Sequence, residues 1–167
     1  MKEIYMMIGL PLTILLTLSI SLCFFFQRKP FSFIQNSIIY MTLTILTTNV
    51  ITILSLNLKW IKTTENPFLF PTVLLYRDGI IPLLVLIFVN VFYKSFTLKL
   101  KVFYFIFIFA GLNGMEALLI YFDVIEFTKW NFFNAATVNC AYLFIGLGIA
   151  KIVLYVSKRS IKHDSHL

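Results

Sequence analysis

Residues 102–122 read VFYFIFIFAGLNGMEALLIYF, an apolar run in which Glu116 is the one charged residue. At 1.5 Å per residue such a run is about 31 Å long as a helix, the thickness of a bilayer's hydrocarbon core. Four comparable runs surround it. Residues 4–26 form the first, 34–58 the second, 68–93 the third and 132–156 the fifth, with a polar tail at 157–167. All but the third read plainly as spanning helices. Composition agrees, with 60 % hydrophobic and 13 % charged residues among 167 and a mean hydropathy of +0.92. A soluble domain has roughly 45–50 % apolar and 25 % charged residues, so a water-soluble globule, a disordered chain and a coiled coil are all excluded. The expected fold is all-α: a polytopic integral membrane helical bundle of five transmembrane helices in a single domain. The sequence shows no strand alternation, and the loops are too short to fold alone.

The first run follows Lys2 but is too long for a signal-peptide core and lacks an A-x-A-like cleavage site. Leu22 beside Cys23 also argues against a lipoprotein site, so the run reads as an uncleaved first span. Cys23 and Cys140 both fall in apolar runs and read as small core residues. The net charge of +7 comes from basic residues clustered between the runs, where they set topology and meet anionic headgroups rather than nucleic acid. Arg28, Lys29, Lys94, Lys99, Lys101, Lys151, Lys158, Arg159 and Lys162 share one side. Lys2, Lys59, Lys62, Lys129 and, if exposed there, Arg77 share the other. That asymmetry predicts an outside N-terminus and a cytoplasmic C-terminus. Glu3, Glu65, Asp123 and Glu126 then lie outside, with Tyr5, Trp60, Tyr121 and Trp130 as an outer aromatic belt.

A charge near the bilayer centre costs about 2.5–3.5 kcal/mol on insertion scales, so Arg77, Asp78 and Glu116 are the informative residues. Measured from span midpoints, Arg77 and Glu116 both lie about 6 Å outward of centre, a depth at which they can pair. Asn49 lies about 4–5 Å outward, Asn139 about 7 Å and Thr13 about 3 Å, so a polar layer is expected in the outer half. Pro82 cannot donate to the Asp78 carbonyl, and with Gly79 it predicts a break or kink just below the charged pair. The alternative puts Phe68 to Tyr76 along the interface, with Asp78 capping a helix that starts at Gly79. That helix would be only about 22–24 Å long, which favours an intramembrane Arg77.

Ala110, Gly114 and Ala117 predict a face for close helix approach, with Asn113 on it and Glu116 at its edge. Glu116 reads either as structural glue or as a proton or cation site. Thr42, Thr44, Thr47, Thr48 and Thr52 line a polar path or simply bond their own helix. Gly146 and Ala150 are spaced for packing, Lys151 is placed to snorkel, and His163 and His166 sit in a polar terminus. The sequence contains no phosphate-cradling loop, nucleophile elbow or metal-ligand cluster, and no cofactor is implied.

Glu116, Tyr121-Phe122-Asp123, Ile125-Glu126-Phe127 and Trp130-Asn131 together form a pattern. It resembles that of uncharacterised small multi-spanning membrane proteins from spore-forming low-GC Gram-positive bacteria, and the likeness covers about the last two thirds of the chain. The resemblance implies a bacterial plasma membrane. The first functional expectation is a non-catalytic structural or partner-binding protein, as a homodimer or with another membrane protein, with Arg77 and Glu116 as a buried pair. A small proton- or cation-coupled transporter using Glu116 is the alternative, and a membrane enzyme using Glu116 and Asp78 as acid and base ranks third.

Overall fold

The computed structural model describes residues 2–164, with side chains described for residues 8–159. The side chains of Lys2, Glu3, Tyr5, Lys162, His163 and His166 lie outside that described set. Helix α1 is Lys2–Phe26, and α2 is Phe33–Thr52 with a π-helical extension, Ile53–Asn57. The third span is built from α3, Phe70–Leu74, a π-helical segment, Leu75–Ile80, and α4, Ile81–Lys94. Helix α5 is Leu98–Tyr121 and α6 is Phe132–Asp164. Five of the resulting helices are long and apolar enough to cross a membrane. They start and stop within a few residues of the predicted spans, except that α6 carries on through most of the expected tail.

Local chemistry fixes the helix starts. Ser32 and Gln35 make a reciprocal capping box at the head of α2: the Gln35 N–H donates to Ser32 Oγ (3.3 Å) and the Ser32 N–H to Gln35 Oε1 (2.9 Å). Asn131 caps α6 from one side, its side-chain oxygen accepting from the Asn134 N–H at 2.8 Å, while its carbonyl accepts from the Ala135 N–H at 3.1 Å.

The third span, the hardest to read, is the centre of the bundle. Its most apolar stretch is 56 % buried, against 11 % for α1 and 22–28 % for the others. A helix apolar on every face can be satisfied only by neighbours all round, and this span touches α1, α2, α5 and α6. Gly146 lets α6 come in close. A Cβ there would lie 2.6 Å from Val85 Cγ1, and Ala150 one turn on is fully buried, as the spacing predicted.

One end of the bundle contradicts the expectation of no strands. Ile61–Thr63 (β1) pairs antiparallel with Ile125–Phe127 (β2), in the register Ile61 to Phe127, Lys62 to Glu126 and Thr63 to Ile125. Three residues are too few to show a period, and the two strands lie far apart in sequence, so neither loop signals the ribbon by itself. Ile61 and Ile125 are buried beneath it, while Lys62 and Glu126 face outward on opposed strands. Lys59 and Asp123, each with φ 54°, turn the chain into the strands. Trp60 and Trp130 pack near the ribbon with centroids 5.7 Å apart and planes tilted by 33°, and Tyr121 is exposed.

The opposite end carries most of the basic residues, among them Arg28, Lys29, Lys94, Lys99, Lys101, Lys158 and Arg159. The Phe31 and Tyr93 rings meet at 5.2 Å, and Gln35 Nε2 donates to Ser157 Oγ at 3.0 Å. The α1–α2 turn, the end of α4 and the end of α6 therefore come together there. Asn90 Nδ2 donates to Asn36 Oδ1 at 2.7 Å, a buried amide bridge between α4 and α2 that the sequence reading passed over. Cys23 is exposed on the bundle surface, not in the core, and Cys140 is half-buried; both are free thiols. Lys151 is exposed on α6.

Candidate functional site

The expected Arg77–Glu116 pair does not form. Arg77 instead turns to its sequence neighbour: Nε donates to Asp78 Oδ1 at 2.7 Å and an Nη to Oδ2 at 2.9 Å. Thr48 of α2 adds a third donor to Asp78 Oδ1 at 2.8 Å. Such a fork-on-carboxylate pair neutralises both charges within one turn, so neither has to cross the bundle for a partner. The two side chains are 20 % and 37 % exposed, at the side of the third span rather than in its centre.

The expected break or kink at Gly79 and Pro82 takes the form of a π-helical widening rather than a gap in the helix. The helix stays continuous and widens into the π-helical segment, where the Ile81 N–H donates to the Tyr76 carbonyl, five residues back. Pro82 has no N–H, so the Asp78 carbonyl loses its α-helical donor and the Arg77 carbonyl its π-helical one. Both are taken up by α2: the Tyr40 hydroxyl donates to the Asp78 carbonyl at 2.8 Å and Thr47 Oγ1 to the Arg77 carbonyl at 2.9 Å. Two of the α2 hydroxyls, Tyr40 and Thr47, thus reach backbone of the third span and Thr48 reaches a carboxylate; Thr47 also bonds the Thr44 carbonyl of its own helix, as Thr42 and Thr44 bond theirs. Asp78 does not cap a helix that starts at Gly79, because the helix already runs from Phe70 through Asp78.

Glu116 sits apart from that pair, 8 % exposed, on the face of α5 turned toward α6. Asn139 Nδ2 donates to its Oε2 at 3.2 Å and is also 3.4 Å from Asn113 Oδ1. Asn113 Nδ2 in turn donates to the Phe109 carbonyl at 2.7 Å. The expected layer therefore shrinks to Glu116, Asn113 and Asn139. Asn49 is exposed and bonds only the Ile45 carbonyl of its own helix, and Thr13 likewise bonds the Gly9 carbonyl. Asn113 and Glu116 point at α6, so Ala110, Gly114 and Ala117 lie on the outward face of α5, all exposed, with open space around Gly114. Helical spacing had placed Asn113 on that small face, but the packing of α6 divides the two.

Next to Glu116 is a cavity of about 30 Å³, roofed by Ile61 and Ile125 of the ribbon and lined by Tyr76, Trp130, Asn139 and Tyr142. Roughly 10–15 Å³ suffices for one water, so the space suits a water or two and no metabolite. Tyr142 is 3 % exposed, and its hydroxyl has no hydrogen-bond partner; neither has the buried Trp130 Nε1. Two orphan donors and a carboxyl around one small cavity are what a bridging water satisfies, by accepting from the indole and phenol and donating to the carboxyl. Sequence reading missed Tyr142 and Trp130 here. Tyr142 lies three residues after Asn139 on α6, a helical neighbour on the same face.

Comparison with protein-family models, with curated proteins and with solved structures finds no match for this chain.

Proposed function

We propose that the chain is a non-catalytic protein of the bacterial plasma membrane that acts by packing against a partner in the bilayer, another copy of itself or a second membrane protein. The observation that carries this reading is where the chain uses its polar groups. Arg77 and Asp78 neutralise each other, Glu116 is held by Asn139, and the π-helical carbonyls are taken up by α2. Apart from the Arg77–Asp78 pair itself, which closes within one turn, that chemistry ties helix to helix inside the bundle. Meanwhile α5 turns Ala110, Gly114 and Ala117 outward, the residue sizes that let a further helix approach closely in lipid. Ribbon outside and basic end in the cytoplasm is the orientation that the lysine and arginine asymmetry supports. The test is cross-linking of a Gly114→Cys variant in native membranes, with Ala117→Leu added to the same chain as the blocking variant. A discrete cross-linked product, absent when the probe is moved to Ile45, exposed on α2, and reduced by bulk on the small face, supports the reading. Cross-linking that is equal at both positions overturns it. Accessibility of cysteines placed at Lys62 and Lys158 to an impermeant maleimide tests the orientation.

A second reading, a proton- or cation-coupled transporter, is favoured by one observation: the carboxyl of Glu116 and two unpartnered donors share a water-sized cavity. It requires that Glu116→Gln abolish a proton-linked flux in proteoliposomes while the protein still folds.

A further inference from the structure

We propose that a groove between α1, α2 and α4, at the basic end of the bundle, binds one acyl chain of a negatively charged glycerophospholipid, with Lys29 engaging its headgroup. The groove encloses about 440 Å³, within the roughly 300–1,000 Å³ of ordinary small-molecule sites. Its walls are mainly apolar, with Phe24, Phe25, Phe33, Met41, Leu83 and Leu86 among them. From Phe33 to Met41 it follows α2 for about 12 Å, close to the ~15 Å depth of one leaflet's hydrocarbon. Phe25, Phe33 and Met41 are 71 %, 85 % and 64 % exposed, so the groove opens sideways on faces that meet hydrocarbon. A lipid chain enters by that route, and a soluble anion gains nothing from the apolar length.

Charge selects the headgroup. Lys29, in the turn that follows α1, lines the groove with its Nζ 4.2 Å from the Phe24 ring centroid and 5.5 Å from that of Phe25. Among the described residues no carboxylate lies within ion-pair distance of it, and Arg28 beside it is exposed. Three of the groove's other polar side chains are already committed: Ser21 Oγ to the Thr17 carbonyl, Tyr40 to the Asp78 carbonyl, and the Asn36 amide to Phe31, Ser32 and Asn90. Lys94, Lys99, Lys101, Lys158 and Arg159 share this end, and no acidic side chain among residues 8–159 does. A cation at the mouth of an apolar slot, at the level where a span ends, is complementary to an anionic headgroup above its own chain.

The test is lipid retention by the full chain purified in mild detergent, read by native mass spectrometry against equal phosphatidylglycerol and phosphatidylcholine. The wild type should retain one phosphatidylglycerol in preference by about fivefold or more, the ratio one basic residue near the headgroup confers. Lys29→Gln should abolish the preference, Lys29→Arg should keep it, and Lys158→Gln, at the same end but away from the groove, should leave it intact. Ser37→Phe, which fills the groove, should lose both lipids while the thermal midpoint stays within a few degrees. An equal loss in Lys29→Gln and Lys158→Gln, or no preference in the wild type, would overturn the proposal. Displacement of phosphatidylglycerol by millimolar inorganic phosphate would overturn it too, as the mark of a headgroup-only anion site.

Discussion

Replacing Gly146 with alanine tests how α6 is seated on the central span. The new Cβ would come 2.6 Å from Val85 Cγ1 and 3.2 Å from Val89 Cγ2, and both valines are fully buried. Neither can swing aside, because a β-branched side chain in a helix keeps one strongly preferred χ1. The helices must therefore part by roughly 1 Å to restore carbon–carbon contact, or a valine must leave its rotamer. Overpacking of this kind costs about 1–3 kcal/mol. Alanine also gains about 0.8–1.0 kcal/mol of helix propensity, which would blur the result if Gly146 were examined alone. Gly148 removes the ambiguity: it is on the same helix, and a Cβ there meets nothing within 4 Å. Gly148→Ala should raise or hold the thermal midpoint. Gly146→Ala should fall below it by the whole steric amount, about 2–12 °C at 2–4 °C per kcal/mol for a chain of this length. Circular dichroism of both variants in the same detergent measures the gap. Val85→Ala in the Gly146→Ala background should recover part of the loss, a non-additive result. Equal midpoints for the two glycine variants, or no rescue by Val85→Ala, would refute the packing argument.

Three further outcomes follow from the same contacts. A double-mutant cycle of Arg77→Gln with Asp78→Asn should show a thermal coupling in the lower half of the 0.5–3 kcal/mol range for contacting residues, about 0.5–1.5 kcal/mol, because both side chains are partly exposed. The Arg77→Gln and Glu116→Gln cycle should couple near zero, and sizeable coupling there would restore the pair that the structure dissolves. Tyr40→Phe should cost about 1–3 kcal/mol by orphaning the Asp78 carbonyl. The cost should shrink in a Pro82→Ala background, where the helix can supply its own donor, and denaturant titration of the four proteins would show whether it does. Asn139→Leu should lower the thermal midpoint clearly more than Asn49→Leu, since Asn139 is buried against Glu116 and Asn113 while Asn49 is exposed on its own helix. Equal effects would mean that the two asparagines share one role.

Run length and charge clustering settled the class, the five spans and the two unlike ends, because a hydrocarbon solvent admits few ways to cross it and the cost of each polar residue is local. Small residues on α6 were legible for a similar reason, since Gly146 and Ala150 are one helical turn apart whichever partner they meet. Depth along a span was legible too: Glu116 and Asn139, expected at nearly the same depth, do meet. Azimuth was not. A depth calculation put Arg77, Glu116, Asn49 and Asn139 in one layer, but which of them meet depends on how each helix is rotated about its own axis, and packing around the central third span sets that rotation. Rotation parted Arg77 from Glu116, turned Asn49 outward and brought Tyr142 and Trp130 to Glu116. The uptake of the Arg77 and Asp78 carbonyls by Thr47 and Tyr40, and the ribbon of residues 61–63 with 125–127, were likewise decided only in the folded chain. Each joins groups about 30 or more residues apart, whose hydrogen-bonding needs are local facts but whose partners are not.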